Sequence, residues 1–223
     1  KRWSAMSKAF TRIGKDIVIA VKDGGPDPES NSRLRAVIQN AKSVNMPKEN
    51  IEKAIKRATE KGLGDYKEIL FEGYGPSGVA ILVETASDNN TRTVANIRSY
   101  FNKYNGNLGT SGSVIFLFDH SCNFKIKKGN IDIEVLELEL IDYGVEEVFQ
   151  EGENILIYAP FDCFGVIQKT LEFKRIEIIS SGFDRIPNTY KNVDDKSREE
   201  NEKLLKKIEE DDDVQNIYHN MES

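Results

Sequence analysis

The chain has 223 residues, 39% of them hydrophobic and 30% charged, with a formal net charge of −6. That composition suits a soluble globular protein with two or three small cores, and no apolar run approaches the roughly 18 residues that a membrane-crossing helix needs. The two cysteines, Cys122 and Cys163, lie far apart in no metal-type spacing, so the expectation is a reduced, cytoplasmic protein with buried thiols rather than a disulfide scaffold.

The net charge hides an asymmetry. Residues 1–61 hold 14 Lys+Arg and 7 Asp+Glu, a net of +7, and the rest of the chain has a net of −13. A basic end on an acidic chain points to nucleic acid, although a solvated helical surface has the same composition.

In chain order, the first third reads as three helices. Trp3, Met6, Phe10, Ile13, Ile17 and Val21 recur at intervals of three and four, which puts them on one helical face. Arg2, Lys8, Arg12 and Lys15 fall off that stripe and should face water. Gly24, Gly25, Pro26 and Pro28 end the helix. A second helix is expected over 32–43, with Leu34, Val37, Ile38 and Ala41 inward. A third starts near Pro47, buries Ile51, Ala54, Ile55 and Ala58, and carries Lys48, Lys53, Lys56, Arg57 and Lys61 elsewhere. Short connections make this a three-helix bundle.

Past Gly62 the period changes. Val79 to Glu84 reads as a buried strand, Val94, Ile97, Phe101 and Tyr104 as a helix, and Ser113 to Phe118 as a second strand that Phe124 to Lys127 pairs with. This β-α-β order implies a crossover. Val145 to Phe149 and Asn154 to Tyr158, flanking Glu151 and Gly152, form a hairpin signal. Phe164, Ile167 and Leu171 mark a helix, and Ile176 to Ile179 a strand. The stretch Ile131 to Ile141 alternates like a strand, yet Leu136, Leu140 and Ile141 also fit a helix face. Ser197 and Glu200 resemble a capping box before Leu204, Leu205 and Ile208, and Val214 to His219 reads as a closing strand.

Long ordered blocks carry a resemblance: "GGPDPESNSRLRAVIQNAKSVNMPKENIEKAIKRA" at 24–58, "FEGYGPSGVAILVETASDNNTRTVANIR" at 71–98, "NGNLGTSGSVIFLF" at 105–118, "FDRIPNT" at 183–189 and "DDVQNIYHN" at 212–220. Together they closely resemble the YebC/PmpR family, which includes a mitochondrial translational activator of cytochrome oxidase. The resemblance implies an α+β protein, with an N-terminal three-helix bundle over 1–62 and two ferredoxin-like α+β domains. One of these takes 67–127 with 194–223, and the other, 128–193, is inserted in it. It implies a helix for Ile131 to Ile141. It also implies a regulator without catalytic residues, described for bacterial members as a DNA-binding transcriptional regulator and for others as tied to translation and the ribosome.

Enzyme chemistry finds little support in the residues. "GYGPSG" at 73–78 matches G-x-G-x-x-G, but "VAILVE" follows as a strand where a dinucleotide site needs a helix, and Pro76 removes a backbone donor. Gly106, Gly109 and Gly112 read as a flexible loop. His120 and His219 have no triad or metal partner in the sequence. The acidic run Glu209 to Asp213 reads as a solvated helix end, although negative charge there is unfavourable. No catalytic residue, metal or cofactor is expected.

The remaining candidate site is basic. Lys53, Lys56 and Arg57 share one side of the third helix. Arg33, Arg35, Lys42 and Lys48, with Lys8, Arg12 and Lys15 of the first helix, extend the set expected to meet phosphates. The partner is DNA, or rRNA or tRNA on the ribosome, and no membrane. No RNA-recognition aromatics or base-reading side chains are specified, and no oligomeric state is read from the chain, a monomer being compatible with it.

Overall fold

The computed structural model describes residues 2–62 and 64–223. The side chains of residues 2–4, including the Trp3 expected on the inner helix face, lie outside that description. The protein is α+β, with an N-terminal helical region and two four-stranded sheets. The chain divides into two compact units: Lys1–Lys15, Gly62–Asp119 and Ile186–Ser223 form one, Asp16–Lys61 and His120–Arg185 the other.

The helices begin where the sequence places them. α1 spans Arg2–Gly24, α2 Ser32–Ser43 and α3 Lys48–Thr59. Asn31 makes the turn between the first two. Its side-chain oxygen accepts from the Leu34 amide, capping α2 as short polar side chains do. Its amide nitrogen donates to the Ala20 carbonyl at 2.7 Å and to the Gly25 carbonyl at 2.8 Å. A methyl group on Gly24 would meet that amide at 2.7 Å.

In the first unit, β1 (Lys67–Tyr74), β2 (Ala80–Ser87), β3 (Asn107–Leu108) and β8 (Val214–His219) form a sheet in the order β3-β1-β2-β8, antiparallel at every pairing. α4 (Asn90–Lys103) and α7 (Asp195–Glu209) supply Ile97, Phe101, Leu204 and Ile208 to a core with Phe71, Ile81, Val83 and Val214. β1 was not expected, and the strand expected at Ser113 to Phe118 is a loop ending in a 3-10 turn over Ile115–Leu117. Glu72 bears on both differences. Glu72 in β1 is buried, and its carboxylate accepts from the backbone amides of Gly112, Val114 and Ile115 at 2.6, 2.8 and 2.7 Å. Those donors are unavailable to a ladder, so the third element of the β-α-β order is β3 instead.

α7 starts one turn before the expected capping box. Asp194 caps it by accepting from the Ser197 amide, and that bond holds the Asp194 carboxyl below its usual range. Ser197 is buried and its hydroxyl meets that of Ser77 at 2.7 Å.

In the second unit, β4 (Phe118–Lys127), β5 (Glu147–Glu151), β6 (Asn154–Pro160) and β7 (Ile178–Pro187) form a sheet in the order β5-β6-β4-β7. The expected hairpin is β5–β6, turning at Gly152 with φ of 60°. β4, expected to pair with the preceding apolar segment, joins this sheet, because Cys122, Phe124 and Ile126 enter one core with Ile155, Ile157 and Ala159. α5 (Ile133–Ile141) and α6 (Phe164–Phe173) cover that core with Leu136, Leu140, Ile167 and Leu171. Helix rather than strand wins at Ile133–Ile141. Asp132 caps the first turn by accepting from the Glu134 and Val135 amides, and Leu136 and Leu140 are one turn apart on the buried side.

Candidate nucleic-acid interface

The ten basic residues fall into three groups. Those of α1 turn inward on the first unit. Lys15 is 9% exposed, not water-facing. Its ammonium donates to the Ala86 carbonyl at 2.9 Å, the Asp212 carbonyl at 2.7 Å and the Asp213 carboxylate at 3.3 Å, which occupies all three donors. The Tyr66 ring lies 5.3 Å from its nitrogen. Lys8 donates to the Glu209 carbonyl at 3.1 Å. Arg12 reaches the same oxygen at 3.4 Å and the Val214 carbonyl at 3.2 Å. Glu209 is the last residue of α7. These cations therefore sit where a helix dipole is negative and its final carbonyls lack partners.

The acidic run is only in part a solvated end: Glu209, Glu210 and Asp212 are exposed, whereas Asp211 and Asp213 are not. Asp213 is buried and accepts from Arg92 at 2.9 Å, Thr93 at 2.8 Å and Ser87 at 3.1 Å, besides Lys15. Burial alone would push its carboxyl up. The bonds from Arg92 and Thr93 and the charge of Lys15 outweigh that and hold it below the ordinary value, while the bond to Asp213 raises the Arg92 guanidinium. Asp211 accepts from Tyr100 at 2.8 Å and Asn96 at 3.2 Å. Burial, with that bond, pushes the Tyr100 phenol up to about 12. One hint of this was legible: an acidic stretch closing a helix is unfavourable unless something compensates it.

The cations of α2 are divided. Arg35 grips Glu172 of α6 with two bonds, 3.0 and 3.2 Å, and donates to the Pro28 and Glu29 carbonyls at 2.8 and 3.1 Å. This is a fork matched to a carboxylate and leaves little for a phosphate. Arg33 is exposed and pairs with Asp23 at 2.7 Å. Lys42, in the last turn of α2, is exposed.

The third group, on α3, is open. Ile51 and Ala58 are buried, Ala54 and Ile55 half-buried, and Lys53, Lys56 and Arg57 exposed. Among the described residues, none of these three cations has an ion-pair partner. Lys48 pairs loosely with Glu52 at 3.5 Å, with 88% of its side chain exposed. The structure thus brings Lys53, Lys56 and Arg57 together on one helix side, with Lys48 on the same helix. It assigns Lys8, Arg12, Lys15 and Arg35 to internal contacts.

The glycine motifs are structural. Gly75 to Gly78 turns β1 into β2: Ser77 has φ of 60° and Gly78 of 78°. The amide of Asn201, fully buried in α7, donates to the Pro76 carbonyl at 3.0 Å, and a methyl group on Gly75 would lie 2.0 Å from its oxygen. Glycine is required there by close packing. The Gly112 loop is pinned by Glu72 rather than flexible. His219 sits in β8, where burial lowers its imidazole. Burial pushes the Cys122 thiol up to about 12, while Cys163 is only half-buried.

Comparison with known proteins covers the whole of this architecture. A family model described as the TACO1/YebC protein N-terminal domain matches residues 1–61. Another, described as the TACO1/YebC second and third domain, matches residues 66–221. A "probable transcriptional regulatory protein" of Flavobacterium psychrophilum is 68% identical over 222 residues, covering 100% of this chain and 94% of its own. One of Parabacteroides distasonis is 59% identical over 222 residues, covering 99% and 91%. Among solved structures, a conserved hypothetical protein of Aquifex aeolicus aligns with a TM-score of 0.80 at 35% identity, over 97% of this chain and 90% of that one.

Proposed function

Because the chain belongs to the TACO1/YebC family, we propose that it is a non-enzymatic regulator of gene expression that binds nucleic acid, in the first reading promoter DNA, through the exposed basic side of α3. The observation that carries this is the trio Lys53, Lys56 and Arg57, exposed at three- and four-residue spacing with no carboxylate engaging them among the described residues. Such a row neutralises successive phosphates and releases their counterions. The DNA reading is supported by the relatives' name, probable transcriptional regulatory protein.

A second reading, contact with folded RNA on the ribosome, has its own support. Base readout needs bidentate Arg, Asn or Gln side chains aimed into a groove, and α3 offers a row of cations instead. The chain outside residues 1–61 has a net charge of −13, which opposes a long duplex more than a compact RNA surface met by one helix. Competition of a candidate promoter against random DNA separates the readings. Selectivity of roughly 10³-fold or more without ribosome association establishes the first. Weak, salt-sensitive, unselective DNA binding with co-sedimentation on ribosomes at moderate salt establishes the second. Absence of any nucleic-acid binding rejects both.

A further inference from the structure

The least expected surface of the second unit is the outer side of α5. Its sequence, IEVLELELI, is apolar on two sides. One side, Leu136 and Leu140, fills the core beneath it. The other is open: Val135 is 51%, Leu138 71% and Ile141 58% exposed. A surface helix ordinarily turns one apolar stripe to its core and polar side chains to water, so a second, open stripe is unexpected. Lys174 pairs with Glu139 of α5 at 2.6 Å, and Phe173, its neighbour in the chain, is 90% exposed. Contiguous apolar side chains rimmed by charge mark interaction sites.

The rim selects the occupant. Between residues 129 and 154 the sequence has nine Asp and Glu and no Lys or Arg. Glu134, Glu137 and Asp142, all exposed, interleave with the open stripe on α5 and its C-cap. A field of one sign repels nucleic acid and steers in cationic partners. A second copy of the chain fits poorly. Its own α5 would oppose acid with acid, and on the basic α3 none of the apolar side chains is exposed.

We propose that the outer face of α5, with Phe173 beside it, docks a basic amphipathic helix of another protein, apolar side chains against Val135, Leu138 and Ile141 and lysines or arginines against the surrounding carboxylates. This is helix-on-groove recognition read through anchors three and four residues apart. It goes beyond the nucleic-acid reading and uses none of its residues.

The test uses the full chain and three synthetic peptides. The first has leucines at helical spacing with lysines elsewhere, the second the same leucines with glutamates, the third the lysines with alanines replacing the leucines. The expected result is that the first binds at least tenfold more tightly than either control. Binding should weaken with salt, and fall at least tenfold in a Leu138→Ser, Phe173→Ser variant. Both positions are exposed, so that variant should fold. Amide exchange in the unaltered chain gives an independent readout, with slowing in α5 on addition of the first peptide. Equal binding of the two leucine peptides, unchanged affinity in the variant, no slowing in α5, or a chain dimer abolished by the same variant would each overturn the proposal.

Discussion

α1 and α3 carry cations at the same helical spacing, and the sequence gives no reason to treat them differently. In the folded chain they do opposite things. Lys8, Arg12 and Lys15 end on carbonyls and a carboxylate around the close of α7, up to 202 residues away in the chain. Lys53, Lys56 and Arg57 end in solvent. A basic stretch is thus two populations, one stabilising the fold and one free for a partner. Only long-range structure separates them. Net charge alone overstates the available surface, since Lys8, Arg12, Lys15 and Arg35 of the ten expected phosphate contacts are held inside the fold, and Arg33 and Lys48 each pair with a surface carboxylate.

The largest effect that would break this comparison is on stability. Replacing Lys15 with Ala leaves Asp213 buried with one charge partner fewer and two carbonyls without their donor. Removing one member of a buried pair costs about 3 kcal/mol or more, so the midpoint of thermal unfolding should drop by roughly 6–12 °C for a chain of this size. Nucleic-acid affinity, measured well below that midpoint, should stay within twofold. A Lys15→Ala protein that is as stable as the parent but binds nucleic acid poorly would reverse the roles assigned to the two helices.

The mirror experiment sharpens the other half. Changing Lys53, Lys56 and Arg57 together to Glu should leave stability nearly unchanged, because exposed substitutions stay within about 0.5 kcal/mol each. Affinity for unrelated nucleic-acid sequences should drop on the order of a hundredfold near 0.1 M salt, and the slope of log affinity against log salt should flatten by about 3 for duplex DNA. Unchanged affinity in a folded variant identifies α3 as an ordinary solvated face.

A smaller effect appears in acid. The Asp213 carboxyl is held below its ordinary value in the folded chain. Its contribution is therefore complete above the ordinary carboxylate pKa of about 4 and is lost as pH falls below that toward the folded value. Urea midpoints measured between pH 6 and pH 3 should decline at the acid end, and Asp213→Asn should make that decline shallower while lowering the midpoint at pH 6. An equally steep acid decline in the variant places the sensitive carboxylate elsewhere.

How much was legible follows the range of each interaction. α2 and β8 match their sequence-read limits, because capping, helical spacing and alternation are local signals. β1 was hidden because a buried carboxylate at Glu72 and a glycine at Gly73 interrupt its apolar pattern. The methyl-free Gly73 packs against Phe101 and the Asn107 carbonyl. Ser113 to Phe118 looked like a strand because its composition is β-rich, and nothing nearby announces that a glutamate some 40 residues upstream takes its amides. The exposed basic row of Lys53, Lys56 and Arg57 was legible for the same local reason as α2. Lys15 was misread because its partner lies 198 residues further on.

α2 lies between these extremes and provides the finest test. β7 is the outer strand of its sheet, and an open edge presents unpaired backbone groups to solvent and to other chains. At Ser181 the edge is closed by a side chain. Asn40 accepts from the Ser181 amide at 2.8 Å and donates to the Ser181 carbonyl at 2.7 Å, imitating one rung of a neighbouring strand. Gln168 holds the start of the same helix by donating to the Ser32 carbonyl at 3.0 Å. Asn40→Ala removes both bonds of the rung, but water can reach part of this site, so the expected cost is about 1 kcal/mol. Hydrogen exchange at Ser181 should accelerate while exchange at Ile157, in the sheet interior, is unaffected. Asn40→Asp keeps the acceptor and turns the donor into a charge facing a carbonyl, so it should cost more than Ala despite its closer shape. If Ala proves the worse of the two, the side chain's volume, not its two hydrogen bonds, is what closes the edge.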